Sequence, residues 1–319
     1  MDRRRLIRGL TTERLWALVL VEQSLDDLLA GARPTGTFLS APDRNTFRAD
    51  PFPVRDAGGQ LWVFVEEYQR WRGLGSIVAL RIGDGAVVER REVLSGPHHY
   101  SFPQAHLVDG TWVATVETCD PAAPTYTFTA PGEPWIASLR TLPQGVIDPA
   151  LAIPALDRRR NYDQEDEGGE GAPWFVVGTS GSDAFGGYRQ WDAPDGVGWQ
   201  EQVSLRYRDP VLARSAGNAD LARGLRSVQD CSTNYGVASS ITTWNPGGQG
   251  PGDVLVRLDG DSFGRGAIGS HTLSWTPDGQ TVVADVWKRG RRALSAVHRA
   301  IEQRHGSVCA GRRASSRMG

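Results

Sequence analysis

One unit of sequence recurs along this chain, and it constrains the fold more than any other feature. Each copy has a polar residue, often followed by proline, and then an apolar strand, a turn with Asp or Gly, and a second apolar strand. The copies begin at Asp50, Ser101, Asp148, Gln229 and Ser270. All-strand repeats of roughly this size are typical of the blades of a β-propeller. The sequence therefore predicts an all-β fold, a five-bladed β-propeller with a short C-terminal helix.

Both ends of the chain depart from this repeat. Residues 24–30 predict a short helix with Ser24 as its N-cap, and residues 291–304 have the spacing of a basic C-terminal helix. The apolar run 15–21 is too short to span a bilayer and is predicted to be a strand. We therefore divide the chain into an N-terminal extension (1–13), the propeller (14–288) and a basic tail of helix and disordered residues (289–319).

Net charge and cysteine content limit the classes of partner and the cellular compartment that we expect. The 319 residues have a formal net charge of -2, which gives no overall attraction to nucleic acid or to an anionic membrane. The cysteines are Cys119, Cys231 and Cys309, and an odd number at no short spacing argues against a disulfide framework or a zinc site. We expect a cytoplasmic protein with reduced thiols, no membrane span and no nucleic-acid partner. The acidic, glycine-rich run 158–171 is expected to be a solvated loop.

The repeat also predicts where scattered polar residues converge. In a propeller the innermost strand of each blade lines a central channel, and the first residues of those strands point into it at one end. The repeat puts one residue of each blade in related places: Asp50, Ser101, Asp148, Asp230 and His271. Residues more than a hundred positions apart would then form one carboxylate cluster.

Several motifs along the chain resemble a known family. In order they are FRADPF (47–52), FVEEY (64–68), HHYSFP (98–103), VIDPAL (146–151), SVQDCSTNYG (227–236) and GSHTLS (269–274). Over roughly residues 14 to 288 they resemble the propeller domain at the N-terminus of plant glucosamine inositolphosphorylceramide transferase. That domain in turn is similar to the five-bladed propellers of glycoside hydrolase family 43. The resemblance does not extend to the transferase's glycosyltransferase domain.

The hydrolase resemblance implies roles for three aspartates. Those enzymes use a base, a tuning residue and an acid, each on a different blade. Asp50 in ADP matches the base and Asp148 in IDPA matches the tuning residue. The acid is usually glutamate, but this chain has Gln229 and Asp230 in that blade, so either Asp230 takes the role or hydrolytic chemistry is absent. His271 resembles a channel histidine that lies beside calcium in some members; we otherwise expect no cofactor or metal.

Further polar residues are candidates for binding a small-molecule or glycan ligand. Arginines suit an anionic group, and histidine and tyrosine suit ligand hydroxyls. Of the neighbours Glu66 and Glu67, one is expected to face the blade interior and the other solvent. The binding candidates are Arg48, Glu67, His98, His99, Tyr100, Glu117, Arg214, Gln229, Tyr235 and His271.

Three functions remain open at this point. The first is a carbohydrate-active enzyme of hydrolase or glycosyl-transfer type, with Asp50, Asp148 and Asp230 at its centre. The second is a non-catalytic propeller that binds a sugar or a sugar phosphate, which the missing glutamate favours. The third is a recruited biosynthetic enzyme that acts on a small metabolite, since most polysaccharide-degrading enzymes are exported and this chain is expected in the cytoplasm.

Overall fold

The computed structural model describes residues 12–39, 43, 45–118, 120, 123–154, 173–180, 183–193, 198–264 and 266–291. This part of the chain is nearly all β-strand. Its helices are α1 (Leu25–Leu29) and α2 (Gly260–Phe263), with one 3-10 turn at Val203–Leu205. The acidic run 158–171, most of the extension 1–13 and the predicted C-terminal helix after residue 291 lie outside the described residues; Arg291 itself ends a strand.

In the part of the chain that the structure describes, twenty-one strands follow one another. The first six are β1 (Thr12–Val21), β2 (Gly36–Phe38), β3 (Thr46–Arg55), β4 (Leu61–Gln69), β5 (Leu74–Gly83) and β6 (Ala86–Leu94). The next four are β7 (Tyr100–Val108), β8 (Thr111–Thr118), β9 (Pro124–Phe128) and β10 (Ile136–Thr141). Then come β11 (Val146–Ala152), β12 (Trp174–Ser180), β13 (Asp183–Ala193), β14 (Gln200–Glu201) and β15 (Tyr207–Arg208). The last are β16 (Arg214–Asp220), β17 (Leu225–Asp230), β18 (Ala238–Thr243), β19 (Val254–Asp259), β20 (Gly269–Trp275) and β21 (Val282–Arg291).

These strands form antiparallel sheets of sequence neighbours. One sheet has the order β3-β4-β5-β6, a second β10-β9-β8-β7, and a third β11-β12-β13-β14 with β15 paired to β13. The eight-stranded sheet has the order β19-β18-β17-β16-β20-β21-β1-β2. Its two halves meet where β16 and β20 run parallel, at the pair Gly217 and Leu273.

The first strand of each group contacts the first strand of the next. Contacts join β3 to β7, β7 to β11, β11 to β16, β16 to β20, and β20 back to β3. The N-terminal strand β1 pairs with β21 along its whole length, from Thr12 opposite Arg291 to Val21 opposite Val282. The two ends of the described chain therefore lie side by side in one sheet.

Apolar side chains between neighbouring sheets form the core. Between the β3–β6 sheet and the β7–β10 sheet, Phe64 packs edge-on against Trp135, and Phe128 stacks between Trp135 and Trp112. Large aromatic rings bury much apolar area for each position they occupy, so they can fill the gap between twisted sheets. This packing fixes how the first strands approach one another.

Several local predictions from the sequence are confirmed. The run 15–21 lies within β1, as expected. The Ser24 side chain accepts a hydrogen bond from the Asp27 amide, so it caps α1 as expected.

The structure shows no candidate for a membrane-spanning helix among the described residues.

Candidate functional site

Each of the five first strands is interrupted by a β-bulge near its start. The pairing shifts between Ala49 and Phe52, Ser101 and Gln104, Ile147 and Ala150, Ser215 and Ala219, and Ser270 and Leu273. A bulge leaves backbone groups unpaired and re-aims side chains, which is why bulges are frequent beside functional sites. In three strands a bulged residue other than glycine has a positive φ: Asp50 (53°), Phe102 (50°) and Asp148 (47°).

The bulges define which residues are structurally equivalent, and they correct the predicted set. The bulged positions are Asp50 in β3, Phe102 in β7, Asp148 in β11, Ala216 and Gly217 in β16, and His271 in β20. Ser101 therefore lies one residue before the position predicted for it. Asp230 lies on β17, the second strand of its group, where it pairs with Ala238. The fourth first strand presents small residues instead of an acid.

The carboxylate of Asp50 is buried and contacts two neighbouring strand groups. Its Oδ2 accepts a hydrogen bond from the Phe102 amide at 3.1 Å, and its Oδ1 lies 3.2 Å from Nδ1 of His271. The Asp50 amide donates to Oδ2 of Asp285 at 2.9 Å. Burial raises the pKa of Asp50 to about 6, although His271 opposes the shift.

Two glutamates on second strands form carboxyl pairs with the bulged aspartates. Glu66 lies opposite Ala49 and is hydrogen-bonded to the Asp50 carboxyl. Glu117 lies opposite Ser101, is hydrogen-bonded to the Asp148 carboxyl, and accepts from the Asp148 amide at 3.2 Å.

Both pairs hold protons that ordinary carboxyls would lose. Burial, followed by the nearby carboxylates, raises the pKa of Glu66 well above its usual value. Burial also raises the pKa of Asp148 well above its usual value, against the effect of Arg214. Two carboxyls in hydrogen-bond contact titrate as a unit, so each pair retains a shared proton above the pH at which a lone carboxyl ionises.

Arg214 supplies a buried positive charge beside the second pair. Its Nε lies 2.6 Å from Oδ2 of Asp148, and its Nη1 donates to the Ala184 carbonyl at 2.9 Å. Burial lowers the pKa of Arg214, but Asp148 and the other acidic groups nearby raise it by more. The guanidinium therefore remains charged. The rings of Tyr235 and Phe185 lie over it at 5.1 Å and 5.5 Å.

His271 connects the first pair to Tyr235. Its Nδ1 lies 3.2 Å from both Asp50 and Asp285, and its Nε2 shares a short hydrogen bond with the Tyr235 hydroxyl. Burial lowers the pKa of His271, but the carboxylates of Asp285 and Asp50 raise it by more, so its pKa lies above the ordinary value. The buried Gln229 donates to the His271 carbonyl at 3.1 Å and thus holds this strand in place.

One group of side chains has the spacing of a metal site. It consists of Asp50, His271 and Asp285, whose ligand atoms lie within 4.8 Å of one another. Calcium takes six to eight oxygen ligands. Here one ligand is a nitrogen, and both oxygens of Asp285 already accept backbone amides, from Asp50 and Thr272. These three residues therefore do not fit the calcium that the resemblance implies beside His271.

Arg48 and Glu67 form an ion-pair group with a partner outside the predicted set. Nε of Arg48 lies 3.0 Å from Glu67, and Arg90 lies 2.5 Å from the same carboxylate. Both Glu66 and Glu67 are buried, so the expectation that one of them faces solvent is wrong. The two arginines cover Glu67 from the side that strand alternation assigns to solvent.

The segment 98–100 is only partly directed at the cluster. Nε2 of His99 lies 3.6 Å from Glu66, and its Nδ1 accepts from the Gly75 amide. Tyr100 is buried in the apolar core between two sheets and is hydrogen-bonded to Tyr126. His98 packs edge-on against the Tyr100 ring. The predicted hydroxyl-binding role of Tyr100 and His98 is therefore not favoured by their surroundings.

Asp230 has surroundings unlike those expected of an acid. Its Oδ2 lies 2.6 Å from Arg257, and its Oδ1 accepts from the Ser232 amide at 2.8 Å. Partial burial raises its pKa, but the hydrogen bonds from Ser232 and Arg257 together lower it below the ordinary value. A general acid needs the opposite shift.

Sequence reasoning missed Glu66 and Asp285 as members of the cluster. The available signal was an acid inside an otherwise apolar second strand, in FVEEY for Glu66 and VVADVW for Asp285. Such an acid needs a buried partner, since an unpaired charge is too costly to bury.

Comparison with known proteins identifies the fold. No family model matches the chain, and no curated protein matches it. The chain is similar to the α-L-arabinofuranosidase from Podospora anserina solved in complex with cellotriose, at 11% identity over 80% of this chain and 95% of that one, with a TM-score of 0.53. It is also similar to the GH43_1 enzyme from Xanthomonas citri complexed with xylotriose, at 13% identity over 81% and 91%, with a TM-score of 0.48. The chain has the β-propeller fold of such glycoside hydrolases.

At these identities the similarity concerns the fold alone, because one fold can carry many activities. The predicted β-propeller of glycoside hydrolase type is confirmed at that level. The resemblance to the plant transferase domain, the cytoplasmic location and the roles of individual residues stay predictions.

Proposed function

We propose that the five strand groups are the blades of one closed propeller, spanning approximately residues 14–288 as the repeat predicts. The chain of contacts from β3 through β7, β11, β16 and β20 back to β3 supports this closure. So does the pairing of β1 with β21, because it joins the first and last parts of the described chain within one blade. The five bulges would then lie at one level around the central axis.

We infer that the protein is a carbohydrate-active enzyme of hydrolase or glycosyl-transfer type, acting at the bulged carboxyls. The observation that carries this inference is the presence of two carboxyl pairs, Asp50 with Glu66 and Asp148 with Glu117, in which only Glu117 is half-buried and the other three are buried. Acid-base cleavage of a glycosidic bond needs one carboxylate and one carboxylic acid on opposite sides of the bond. The fold supports a sugar as substrate, by analogy with the arabinofuranosidase.

The surroundings of the carboxyls suggest their roles. Asp50, with a pKa of about 6, is mostly ionised at neutral pH and suits the base. The Asp148 and Glu117 pair retains a proton and suits the acid, with Arg214 orienting Asp148. We do not assign the acid to Asp230, because its pKa is lowered and its carboxylate is paired with Arg257.

A second candidate is a non-catalytic propeller that binds a sugar or a sugar phosphate. One observation favours it: the fourth first strand has Ala216 and Gly217 at its bulge, so that blade contributes no carboxyl. The carboxylates also accept bulge amides, which gives them a structural reason to be present.

Turnover separates the two candidates. Purified protein is incubated with 4-nitrophenyl glycosides of arabinofuranose, xylose, galactose and mannose and with the corresponding oligosaccharides, and products are identified by mass spectrometry. We expect one of these to be consumed, and Asp50→Asn to lower the rate by at least about a hundredfold. Asp84→Asn is the matched control, because Asp84 also has a positive φ but lies in an exposed turn. Binding without product by the wild-type protein would support the non-catalytic propeller instead.

A further inference from the structure

The fourth strand group reaches the carboxyl cluster at two places, through Arg214 at the start of its first strand and through a loop. The bulge of that strand comprises Ala216, Gly217 and Asn218. The Asn218 side chain is bonded to the Trp275 backbone, and a Cβ on Gly217 would lie 2.2 Å from the Leu273 carbonyl oxygen. No larger side chain fits at that point. The loop from β17 to β18, residues 231–237, carries Tyr235 to the cluster.

Tyr235 is held on both sides. Its hydroxyl is hydrogen-bonded to Nε2 of His271, while Nδ1 of the same imidazole faces Asp50 and Asp285. Its ring lies 4.7 Å from the His271 ring and is flanked by Trp16 at 6.4 Å. The residue as a whole is half-buried, and its hydroxyl is fixed by the imidazole of His271.

Phe185, on β13, extends this arrangement outward. It is 52% exposed and lies beside the buried Arg214 guanidinium. Its ring contacts are with Tyr235 at 6.3 Å and with the Arg214 guanidinium at 5.5 Å. From outside inward, an exposed aromatic ring, a fixed hydroxyl and a buried ion pair therefore follow one another.

We propose that Tyr235 and Phe185 form the ligand-binding wall of the site, in which the Tyr235 hydroxyl bonds a sugar hydroxyl and the Phe185 ring covers the apolar face of the sugar. This assignment deepens the proposed function and rests on it. Small-molecule sites combine aromatic walls with a few fixed polar groups, and a sugar ring presents both an apolar C–H face and a polar rim. Tyr235 would be the fourth blade's second contribution to the site, beside Arg214.

The test measures binding in the Asp50→Asn background, where turnover does not interfere. Calorimetry with the methyl glycosides of arabinofuranose, xylose, galactose and mannose gives the Kd for each. We expect Tyr235→Phe and Phe185→Ala each to raise the Kd of the bound glycoside at least fivefold. The matched controls are Tyr207→Phe, which removes a hydroxyl bonded to the Leu212 carbonyl, and Ile136→Ala, which trims a side chain that is 67% exposed. Both control variants should bind the glycoside with a Kd within twofold of that of the Asp50→Asn background.

A second readout needs no ligand. In ¹⁵N-¹H spectra of the histidine side chains, Tyr235→Phe should shift the Nε2 resonance of His271, and Tyr207→Phe should leave it in place.

The outcomes separate the two claims. If a glycoside binds but Tyr235→Phe and Phe185→Ala bind it as tightly as the background variant does, the binding wall is wrong while the proposed function stands. An unshifted His271 resonance in Tyr235→Phe would also overturn the assignment. If neither the wild-type protein nor Asp50→Asn binds any of the glycosides, the proposed function fails and the wall fails with it.

Discussion

The amide of Asp50 donates a hydrogen bond to the carboxylate of Asp285 at 2.9 Å, across 235 residues of sequence. Asp285 is fully buried and also accepts from the Thr272 amide at 2.8 Å. One carboxylate therefore satisfies the amides that two bulges withdraw from their ladders. It also joins the first strand group to the last.

We predict that Asp285→Ala destabilises the protein by about 3–5 kcal/mol, because it leaves two buried amides and the His271 imidazole without their partner. Urea unfolding measures the free energy of unfolding. Asp253→Ala is the control, since this aspartate is exposed and substitutions at such sites usually change stability by less than about 0.5 kcal/mol. Equal stability of the two variants would show that Asp285 does not hold the bulges.

The raised pKa of Asp50 predicts a pH dependence of stability. Its ordinary pKa is 3.8 and its pKa in the folded protein is about 6, so the folded state binds more protons than the unfolded state between these values. The free energy of unfolding must then fall as pH rises through this window, by roughly 3 kcal/mol. Asp50→Asn resembles the protonated state, so its stability relative to wild type should rise between pH 4 and pH 7. Urea titrations at several pH values measure this difference, and a difference that stays constant between pH 4 and pH 7 would contradict the raised pKa of Asp50.

The buried ion pair of Arg48 and Glu67 predicts a stability effect without a loss of activity. Glu67→Ala leaves the Arg48 guanidinium buried with its 3.0 Å partner removed, which should cost about 3–5 kcal/mol. The remaining folded protein should keep its turnover, since this pair is placed outside the proposed machinery. Glu133→Ala, at an exposed pair with Arg91, is the control and should unfold at the wild-type urea concentration. Lost turnover in fully folded Glu67→Ala would return Glu67 to the site.

Gly217 predicts how tightly the fourth and fifth first strands are packed. Its φ is 149°, and an added Cβ would meet the Leu273 carbonyl oxygen at 2.2 Å. Gly217→Ala should therefore cost more than about 3 kcal/mol, because strain and a backbone clash add. At Gly59, with φ of 79° and open space around the Cβ position, alanine should cost only about 1–2 kcal/mol. Similar midpoints for the two variants in thermal unfolding would contradict the close approach of the strands.

Much of the fold could be predicted because its signals are local. The repeated apolar runs indicate strands, and Ser24 indicates the start of a helix. The repeat also placed Asp50, Asp148 and His271 at equivalent points of different strands, and these do converge, together with Glu117, Arg214 and Tyr235.

The other features of the site depend on strand pairing, which the local sequence pattern does not predict. The repeat pattern predicts β17 as the fourth first strand, because the true first strand, RSAGNAD, has the small residues Ala216 and Gly217 at its bulge. Asp230 was thereby placed in the cluster. Strand alternation predicts that one of Glu66 and Glu67 faces solvent, but both are buried. Glu66 is bonded to Asp50, and Glu67 is paired with two arginines that are distant in sequence.

The central claim is that a sugar binds at the bulged carboxyls, and a crystal structure of Asp50→Asn with a bound methyl glycoside tests it most directly. The account predicts sugar oxygens within about 3.2 Å of the residue 50 side chain and of the Tyr235 hydroxyl, with the Phe185 ring against the sugar. A sugar bound only on outer strands, with Asp148, Glu117 and Arg214 arranged as in the free protein, would contradict it.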